Sequence, residues 1–306
     1  MRGLLLSGCV LAAIGLSALT PVCAQAPQGP PAGGMPTSGP LTVRQLAPTV
    51  YWVQGGVGNA GFIVGDKGVI VVDATISAAS ATELLADIAK VTSKPVTTVI
   101  LTHGDIDHVG GLGAFPAGVT IIAQQANKDR MAAAVAAGRS RLPADHVPNR
   151  AIGASETVTI DGVKLGLLHW APAHTAGDLV VYLPAQKIVF TGDIFALDQP
   201  RALIHREQQG TSEGWVTTAR GILALDADRF VVGHGDVQTK AALKARVDLV
   251  VAERARIKAL VAGGKTLAQI QAEVGDPPPG QAAPTPGGPR FTPFSEVVYQ
   301  ELTETK

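Results

Sequence analysis

Cysteine is nearly absent from this sequence: both copies, Cys9 and Cys23, lie within the first 23 of 306 residues. The remainder of the chain therefore cannot contain a core disulfide, a catalytic thiolate or a zinc-ribbon site. Aromatic residues are also scarce, at 4%, which disfavours a groove lined with aromatic rings for sugars or nucleic acids. Binding or catalysis in the body of the chain must use other side chains.

The sequence also lacks an excess of charge of either sign, with 25 Lys and Arg against 25 Asp and Glu. This balance excludes a basic nucleic-acid binder and a polybasic membrane-surface protein as default classes. Hydrophobic residues make up 46% and charged residues 16%, so the chain can bury a large core and is not globally disordered. We expect a small-molecule substrate and no nucleic-acid partner. The sequence does not indicate an oligomeric state.

The N-terminus has the features of a targeting segment. Arg2 precedes an apolar run over residues 4–19, and residues 22–24 resemble a cleavage site that ends at Ala24. These features predict a secretory signal peptide over residues 1–24, and hence a secreted or periplasmic protein with no stable membrane span after cleavage. An uncleaved anchor and a lipoprotein signal at Cys9 are the alternatives.

Apolar runs and helical patterns alternate along the rest of the chain, which predicts one α/β or α+β domain with helices covering sheets. Residues 25–40 form a Pro/Gly-rich linker, 41–265 the domain, and 266–306 an extension with a Pro-rich linker and a closing helix. Strands are expected at 49–54, 60–64, 68–73, 96–101, 119–123, 158–160, 163–168, 179–183, 188–190 and 230–232. Helices are expected at 77–91, 124–137, 213–225, 241–261 and 294–302.

Four short segments place His or Asp where a predicted strand ends. The first, residues 101–111, contains four metal-binding side chains within six positions: His103, Asp105, Asp107 and His108. The others carry His174, Asp193 and His234. Imidazole nitrogen and carboxylate oxygen both bind zinc at about 2.0–2.2 Å, and the neighbouring glycines permit tight turns. These segments therefore predict a metal site.

The order of these motifs resembles the metallo-β-lactamase fold superfamily, over roughly residues 45–260. The resemblance implies an α+β fold, a four-layer αββα sandwich with a dinuclear metal site at one edge of its two sheets. Carried over by position, it implies two Zn²⁺ ions and a shared ligand, Asp193, as in glyoxalase II-like members. The first ion would be bound by His103, Asp105 and His174, and the second by Asp107, His108 and His234. Asp73 resembles the acid that steadies the metal loop from behind.

Asp105 departs from the family pattern, which normally has histidine at this position. A carboxylate still binds a metal, but it adds negative charge and is shorter than imidazole. Three outcomes stay open: a normal dizinc site, a site filled at the second position alone, or a preference for iron or manganese. Flavodiiron members carry an acid here too, but they need a flavin domain for which this chain has no room.

The resemblance implies a metal-dependent hydrolase in which a hydroxide shared by two ions attacks an ester, thioester, lactone or lactam carbonyl. Asp107 would be catalytic, orienting the nucleophile or accepting its proton. Asp105 and Asp193 favour an ester or thioester hydrolase over an antibiotic-resistance enzyme. His205 and His146, in the loops 198–211 and 139–150, are predicted to contact substrate. The alternatives are a non-haem iron redox enzyme of the same fold and a catalytically weakened metal-binding protein.

Overall fold

The structure is a computed structural model that describes residues 40–55, 57–140, 142–199, 201–277 and 291–304. All of these residues belong to one compact unit, residues 35–306. The predicted signal peptide, residues 1–24, lies outside the described residues, together with residues 25–39 of the linker and 278–289 of the Pro-rich stretch. Those assignments stay predictions.

Two mixed β-sheets form the centre of the molecule. The first sheet has seven strands in chain order, antiparallel from β1 to β4 and parallel from β4 to β7. Its strands are β1 (Thr42–Ala47), β2 (Val50–Gln54), β3 (Ala60–Val64), β4 (Val69–Val72), β5 (Val96–Ile100), β6 (Thr120–Gln124) and β7 (Arg150–Ile152).

The second sheet has five strands in the order β12-β11-β10-β9-β8, and its one parallel pair is β11 with β12. Its strands are β8 (Glu156–Ile160), β9 (Val163–Leu168), β10 (Val180–Leu183), β11 (Ile188–Ala196) and β12 (Arg229–His234). The α-helices are α1 (Ala78–Val91), α2 (Ile106–Val109), α3 (Gln125–Ala136), α4 (Ser212–Ala224), α5 (Lys240–Ala262), α6 (Leu267–Val274) and α7 (Phe294–Thr303).

Strand β4 shows why apolar runs without alternation form the middle of the first sheet. Successive side chains of a strand point to opposite faces. Val69 and Val71 therefore enter one core, and Ile70 and Val72 enter another. Because both faces are buried, every position of the strand has to be apolar.

Three hydrophobic cores separate four layers. One core lies between the first sheet and α1, which contributes Ala81, Leu84 and Ile88. The second lies between the two sheets. The third joins the outer face of the second sheet to helices α4 to α7. The molecule is thus an αββα sandwich of the α+β class, as predicted.

Four elements were not predicted, one of them the single helical turn α2 of four residues. Strand β1 lies at the sheet edge and has no fully buried residue, so it lacks the continuous apolar run of a buried strand. Strand β7 has three residues. Helix α6 has eight residues but begins at a capping box formed by Thr266 and Gln269, a signal that sequence analysis can use.

The C-terminal helices belong to the core of the second sheet. Ile270 of α6 and Val297 of α7 are fully buried in the same core as Val250 of α5. They lie beyond residue 265, where the domain was predicted to end, and that boundary stays a prediction. Within the described ranges, none of the helices has both the length and the apolarity needed to cross a membrane.

Replacing Leu84 tests the core between α1 and the first sheet. Leu84 is 0% exposed, so Leu84→Ala should lower the free energy of unfolding by about 2–5 kcal/mol through lost burial and a residual cavity. Leu249→Ala is the matched control, because Leu249 is 68% exposed in α5 and its loss should change stability by less than about 0.5 kcal/mol. Urea unfolding measures both, and equal effects would contradict this packing.

Candidate metal centre

The candidate site lies where strands of both sheets end. Asp73 follows β4, His103 follows β5, and His234 is the last residue of β12. A single helical turn, α2, begins after Asp105 and carries Asp107 and His108. The carboxyl ends of neighbouring parallel strands meet at one edge of a sheet, where loops can converge on a ligand.

Asp73 anchors the loop that follows β5. Its Oδ1 accepts the backbone N–H of Thr102 at 2.8 Å, and its Oδ2 accepts the Thr102 hydroxyl at 2.7 Å. The same Oδ2 lies 2.9 Å from Nδ1 of His108. Asp73 itself has a φ of 62°, an unfavourable left-handed conformation for a residue with a side chain. These bonds compensate for that strain, so Asp73 is placed where it can steady the metal loop.

The first group of donors consists of His103, Asp105 and His174. Oδ2 of Asp105 lies 3.6 Å from Nε2 of His103 and 3.2 Å from Nε2 of His174. Both imidazoles are buried, whereas the Asp105 side chain is 16% exposed. The three donor atoms lie within 4.8 Å of one another.

The second group consists of Asp107, His108 and His234. Oδ2 of Asp107 lies 3.6 Å from Nε2 of His108 and 3.2 Å from Nε2 of His234. Here too the donor atoms lie within 4.8 Å of one another. The two groups are therefore built alike, with one carboxylate and two imidazoles each.

Asp193 lies between the two groups. Its Oδ1 is 3.2 Å from Nε2 of His108, and its Oδ2 is 3.2 Å from Nε2 of His234. On the other side, Oδ2 lies 3.9 Å from Nε2 of His103 and 4.0 Å from Nε2 of His174. One carboxylate thus faces imidazoles of both groups. The resemblance implies a shared ligand at this position, and that role stays a prediction.

These residues fit a metal by two criteria. Ligands of a tetrahedral ion at about 2.1 Å stand about 3.4 Å apart, and the carboxylate–imidazole distances within each group are 3.2 and 3.6 Å. In addition, three donor atoms are buried without a hydrogen-bond partner in the described part of the chain: Nε2 of His103, Nε2 of His108 and Oδ1 of Asp193. Buried polar atoms are rarely left unpaired, and a cation would pair these three.

The four histidines share one orientation. In each, Nδ1 faces an oxygen outside the two groups, which leaves Nε2 towards the centre, as metal-binding histidines are usually held. The Nδ1 partners are Thr102 Oγ1 at 3.0 Å for His103, Asp73 Oδ2 at 2.9 Å for His108, the Leu203 carbonyl at 3.0 Å for His174, and Asp198 Oδ2 at 3.6 Å for His234.

The electrostatics favour positive charge at the centre. Burial disfavours the charged imidazole of His174, yet the hydrogen bond to Asp105 and the charge of Asp193 raise its pKa to about 9. Burial likewise opposes the charge on His234, but Asp193 and Asp107 raise its pKa to about 10. For Asp193, burial is outweighed by the neighbouring imidazoles, which hold its pKa well below the usual range. Ionised carboxylates around a buried centre form an environment suited to divalent cations.

The two histidines predicted to contact substrate are placed differently. Nε2 of His205 lies 3.3 Å from Oδ2 of Asp105, so His205 contacts the first group through that carboxylate. His146 has Nε2 3.1 Å from the Phe115 carbonyl and Nδ1 2.8 Å from Asp145. Both ring nitrogens of His146 are thus bonded outside the two groups, and its contact with substrate stays a prediction.

The residues that orient the donors were not predicted from the sequence. Thr102 could have been found, since it directly precedes His103 and can bond both the ring and Asp73. The Leu203 carbonyl and the Gln208 amide, which donates to Oδ1 of Asp105 at 2.7 Å, carry no local signal. They lie 29 positions from His174 and 103 positions from Asp105 respectively.

The chain is similar in sequence and in fold to known proteins. The family model described as the metallo-beta-lactamase superfamily matches residues 53–234. That range contains both groups of donors and Asp193.

Three similar proteins illustrate the range of relatives. The 2,4-dinitroanisole O-demethylase subunit alpha of Nocardioides sp. is 31% identical over 63% of this chain and 57% of its own length. A metallo-beta-lactamase type 2 of Bacteroides fragilis is 32% identical over 46% of this chain and 54% of its own length. The matched part thus spans a little more than half of these two relatives. The solved metallo-beta-lactamase of Pontibacter korlensis shares the fold, with a TM-score of 0.59, 21% identity, and coverage of 69% of this chain and 98% of its own.

Replacing Gly233 tests the position of Asp193. A Cβ at residue 233 would lie 1.8 Å from Oδ1 of Asp193, so Gly233→Ala must displace the shared carboxylate. We expect zinc affinity, measured by chelator competition, to fall at least 10-fold. Gly153→Ala is the control, because a Cβ there meets nothing within 4 Å. Unchanged zinc affinity in Gly233→Ala would show that zinc binding does not depend on the observed position of the Asp193 carboxylate.

Replacing Asp73 tests the support behind the loop. Asp73→Asn places an amide group against Thr102 and His108, which should misorient the His108 ring. Loss of such an orienting partner typically costs 10–100-fold in metal affinity, and we expect a decrease in that range by the same competition assay. Asp226→Asn is the control, because Asp226 is 78% exposed and pairs with Lys187 on the surface. Equal affinities in the two variants would contradict the orienting role.

Proposed function

Because the chain belongs to the metallo-beta-lactamase superfamily, whose members include metallo-hydrolases, we propose that it is a zinc-dependent hydrolase of ester, thioester, lactone or lactam carbonyls. One observation carries this proposal: two groups of one carboxylate and two imidazoles face each other across Asp193. A carboxylate that is shared by two such groups suits two metal ions better than a single metal ion.

The proposal assigns a place to each donor. His103, Asp105 and His174 would hold the first ion, and Asp107, His108 and His234 the second, with Asp193 shared. When bound, two such ions activate a water molecule for attack and polarise the substrate oxygen.

Asp107 is the side chain best placed to handle the attacking water. Its carboxylate is 15% exposed, so it reaches the rim of the site, whereas Asp193 is buried. Burial would raise the pKa of Asp107, but His108 and His234 outweigh it and lower the pKa. A carboxylate that stays ionised accepts a hydrogen bond and orients water. Substrate would approach over the same rim, which Asp105 and His234 also form, at 16% and 10% exposure.

A cavity lies beside the first group, although none of the seven donors lines it. Gln208, which bonds Asp105, lines a cavity of about 430 Å³ together with Asn127 and Arg130. Such a volume lies within the range of small-molecule sites. Arg130 is 44% exposed and lies 3.7 Å from Asp105, so a guanidinium stands at the edge of the first group.

We also propose that the protein acts outside the cytoplasm, because residues 1–24 have the features of a signal peptide.

Metal analysis and a hydrolysis screen test the proposal together. We expect about two equivalents of zinc per chain, turnover of esters or thioesters above that of β-lactams, loss of turnover after chelation and recovery with zinc. Asp193→Asn should lower kcat/KM on the best substrate by at least about 10²-fold, as loss of a key electrostatic group does. Asp226→Asn, on the exposed surface, should leave kcat/KM unchanged.

Each failure points to one alternative. Iron as the dominant metal, with no turnover of any ester, thioester, lactone or lactam, would indicate the redox enzyme of the same fold. Bound metal without turnover, with hydrolysis gained in Asp105→His, would indicate a weakened site. Full activity after exhaustive chelation would overturn the metal dependence itself.

A further inference from the structure

His205 has the environment of a metal ligand, although nothing in the four sequence motifs includes it. Its side chain is 8% exposed, and its Nε2 is buried with no hydrogen-bond partner anywhere in the described ranges. That atom lies 3.3 Å from Oδ2 of Asp105, close to the 3.2 Å separation between the same oxygen and Nε2 of His174. An unpaired buried nitrogen at this position needs a partner.

The ring of His205 is oriented as the other four histidines are. Its Nδ1 contacts the carboxylate of Glu207, an acceptor that favours the tautomer with the proton on Nδ1 and the lone pair on Nε2. The pattern of an outward Nδ1 bonded to oxygen and an inward Nε2 is that of a metal-binding histidine.

The backbone holds His205 against the first group. Its N–H donates to the carbonyl of His174 at 2.8 Å, and its carbonyl accepts from Gly210 at 2.9 Å. A Cβ at residue 210 would lie 2.2 Å from the same carbonyl of His174, so this close approach requires glycine. Gln208, in the same turn, donates to Oδ1 of Asp105 at 2.7 Å, and Oδ2 remains for the imidazoles. The turn therefore positions both His205 and Asp105.

Packing argues against a contact with substrate. The ring of Phe291 meets His205 edge-on with centroids 5.1 Å apart, and the ring of His174 does so at 4.7 Å. With aromatic rings against it and little exposed surface, His205 is less accessible than Asp105 or Asp107. Its Nε2 faces Oδ2 of Asp105, a donor of the first group.

We propose that His205 is a ligand of the first ion, together with His103, Asp105 and His174. The inference rests on the metal centre proposed above and adds a donor to it. Asp105 stands where the family pattern has histidine, so the first group would otherwise hold two imidazoles. His205 restores the third imidazole from a different loop, and the extra carboxylate remains.

Metal titration of His205→Ala tests this assignment. The chain stripped of metal is titrated with Co²⁺, whose visible bands report its ligands, and with Zn²⁺ against a chelator. We expect two equivalents bound to the wild-type chain. In His205→Ala, the affinity of one equivalent should fall at least 100-fold with altered cobalt bands, and the other equivalent should be unchanged. Glu207→Gln should weaken the same equivalent about 10-fold, as loss of an orienting partner does.

His169→Ala is the matched control, because His169 is a histidine whose Nδ1 bonds the Asp178 carbonyl and which belongs to neither donor group. It should bind both equivalents as the wild-type chain does. Thermal unfolding shows whether each variant is folded. If His205→Ala is not, the zinc-loaded wild-type chain decides by crystallography: a zinc–Nε2 distance of about 2.0–2.1 Å for His205 supports the assignment.

The outcomes separate the two proposals. A folded His205→Ala chain that binds two equivalents with unchanged affinity and cobalt bands would overturn the role of His205 and leave the hydrolase intact. A crystallographic zinc–Nε2 distance above about 3 Å would do the same. A wild-type chain that binds no zinc or cobalt would overturn the metal centre, and the role of His205 with it.

Discussion

The arrangement depends on the buried carboxylate of Asp193, which faces imidazoles on two sides. An ionised carboxylate in a protein interior is costly unless opposite charge or hydrogen bonds surround it. The local backbone is shaped to keep it there. Gly192, with a φ of 54°, makes a turn that a residue with a side chain would resist, and Gly233 leaves room beside Oδ1. The pairing of β11 with β12 shifts register at this point.

Both sheets contribute to the site, so their relative position has to be held. Asn59, which precedes β3 of the first sheet, donates its side-chain amide to the carbonyls of Val232 at 2.8 Å and Gly235 at 2.7 Å. In return, the N–H of Leu179, which precedes β10, donates to the Thr102 carbonyl at 2.7 Å. The Asn59 bonds tie the segment before β3 to the end of β12 that carries His234, and the Leu179 bond ties the segment that carries His174 to the loop that carries His103. The sandwich core aligns the sheets, and hydrogen bonds between loops set the positions of the donors.

Local patterns in the sequence predicted most of the strands and helices and singled out the seven donors, whereas the four layers and the assignment of the donors to two ions came from the family resemblance. Buried strands read as apolar runs, and the four motifs have His or Asp within a few positions of a strand end. The partners of Nδ1 could not be predicted. Any carbonyl or carboxylate oxygen can accept a hydrogen bond from Nδ1. For His174 the partner is the backbone carbonyl of Leu203, and the residue type at position 203 does not indicate this role. His205 stood out from the sequence as a histidine, but its distance from the motifs concealed its place beside Asp105.

Asp105 changes the charge of the centre as well as its shape. Asp73, Asp105, Asp107 and Asp193 together carry four negative charges when ionised, which would balance the two divalent cations proposed above before a hydroxide binds. With histidine at position 105, the same centre would keep a positive excess and would attract an anionic substrate more strongly. β-Lactam antibiotics generally carry a carboxylate, whereas many esters and lactones are neutral. A centre without excess positive charge does not attract an anionic substrate in this way. The half-exposed Arg130 beside Asp105 adds positive charge at one edge alone. With both of the proposed ions bound, this charge balance would favour neutral carbonyl substrates.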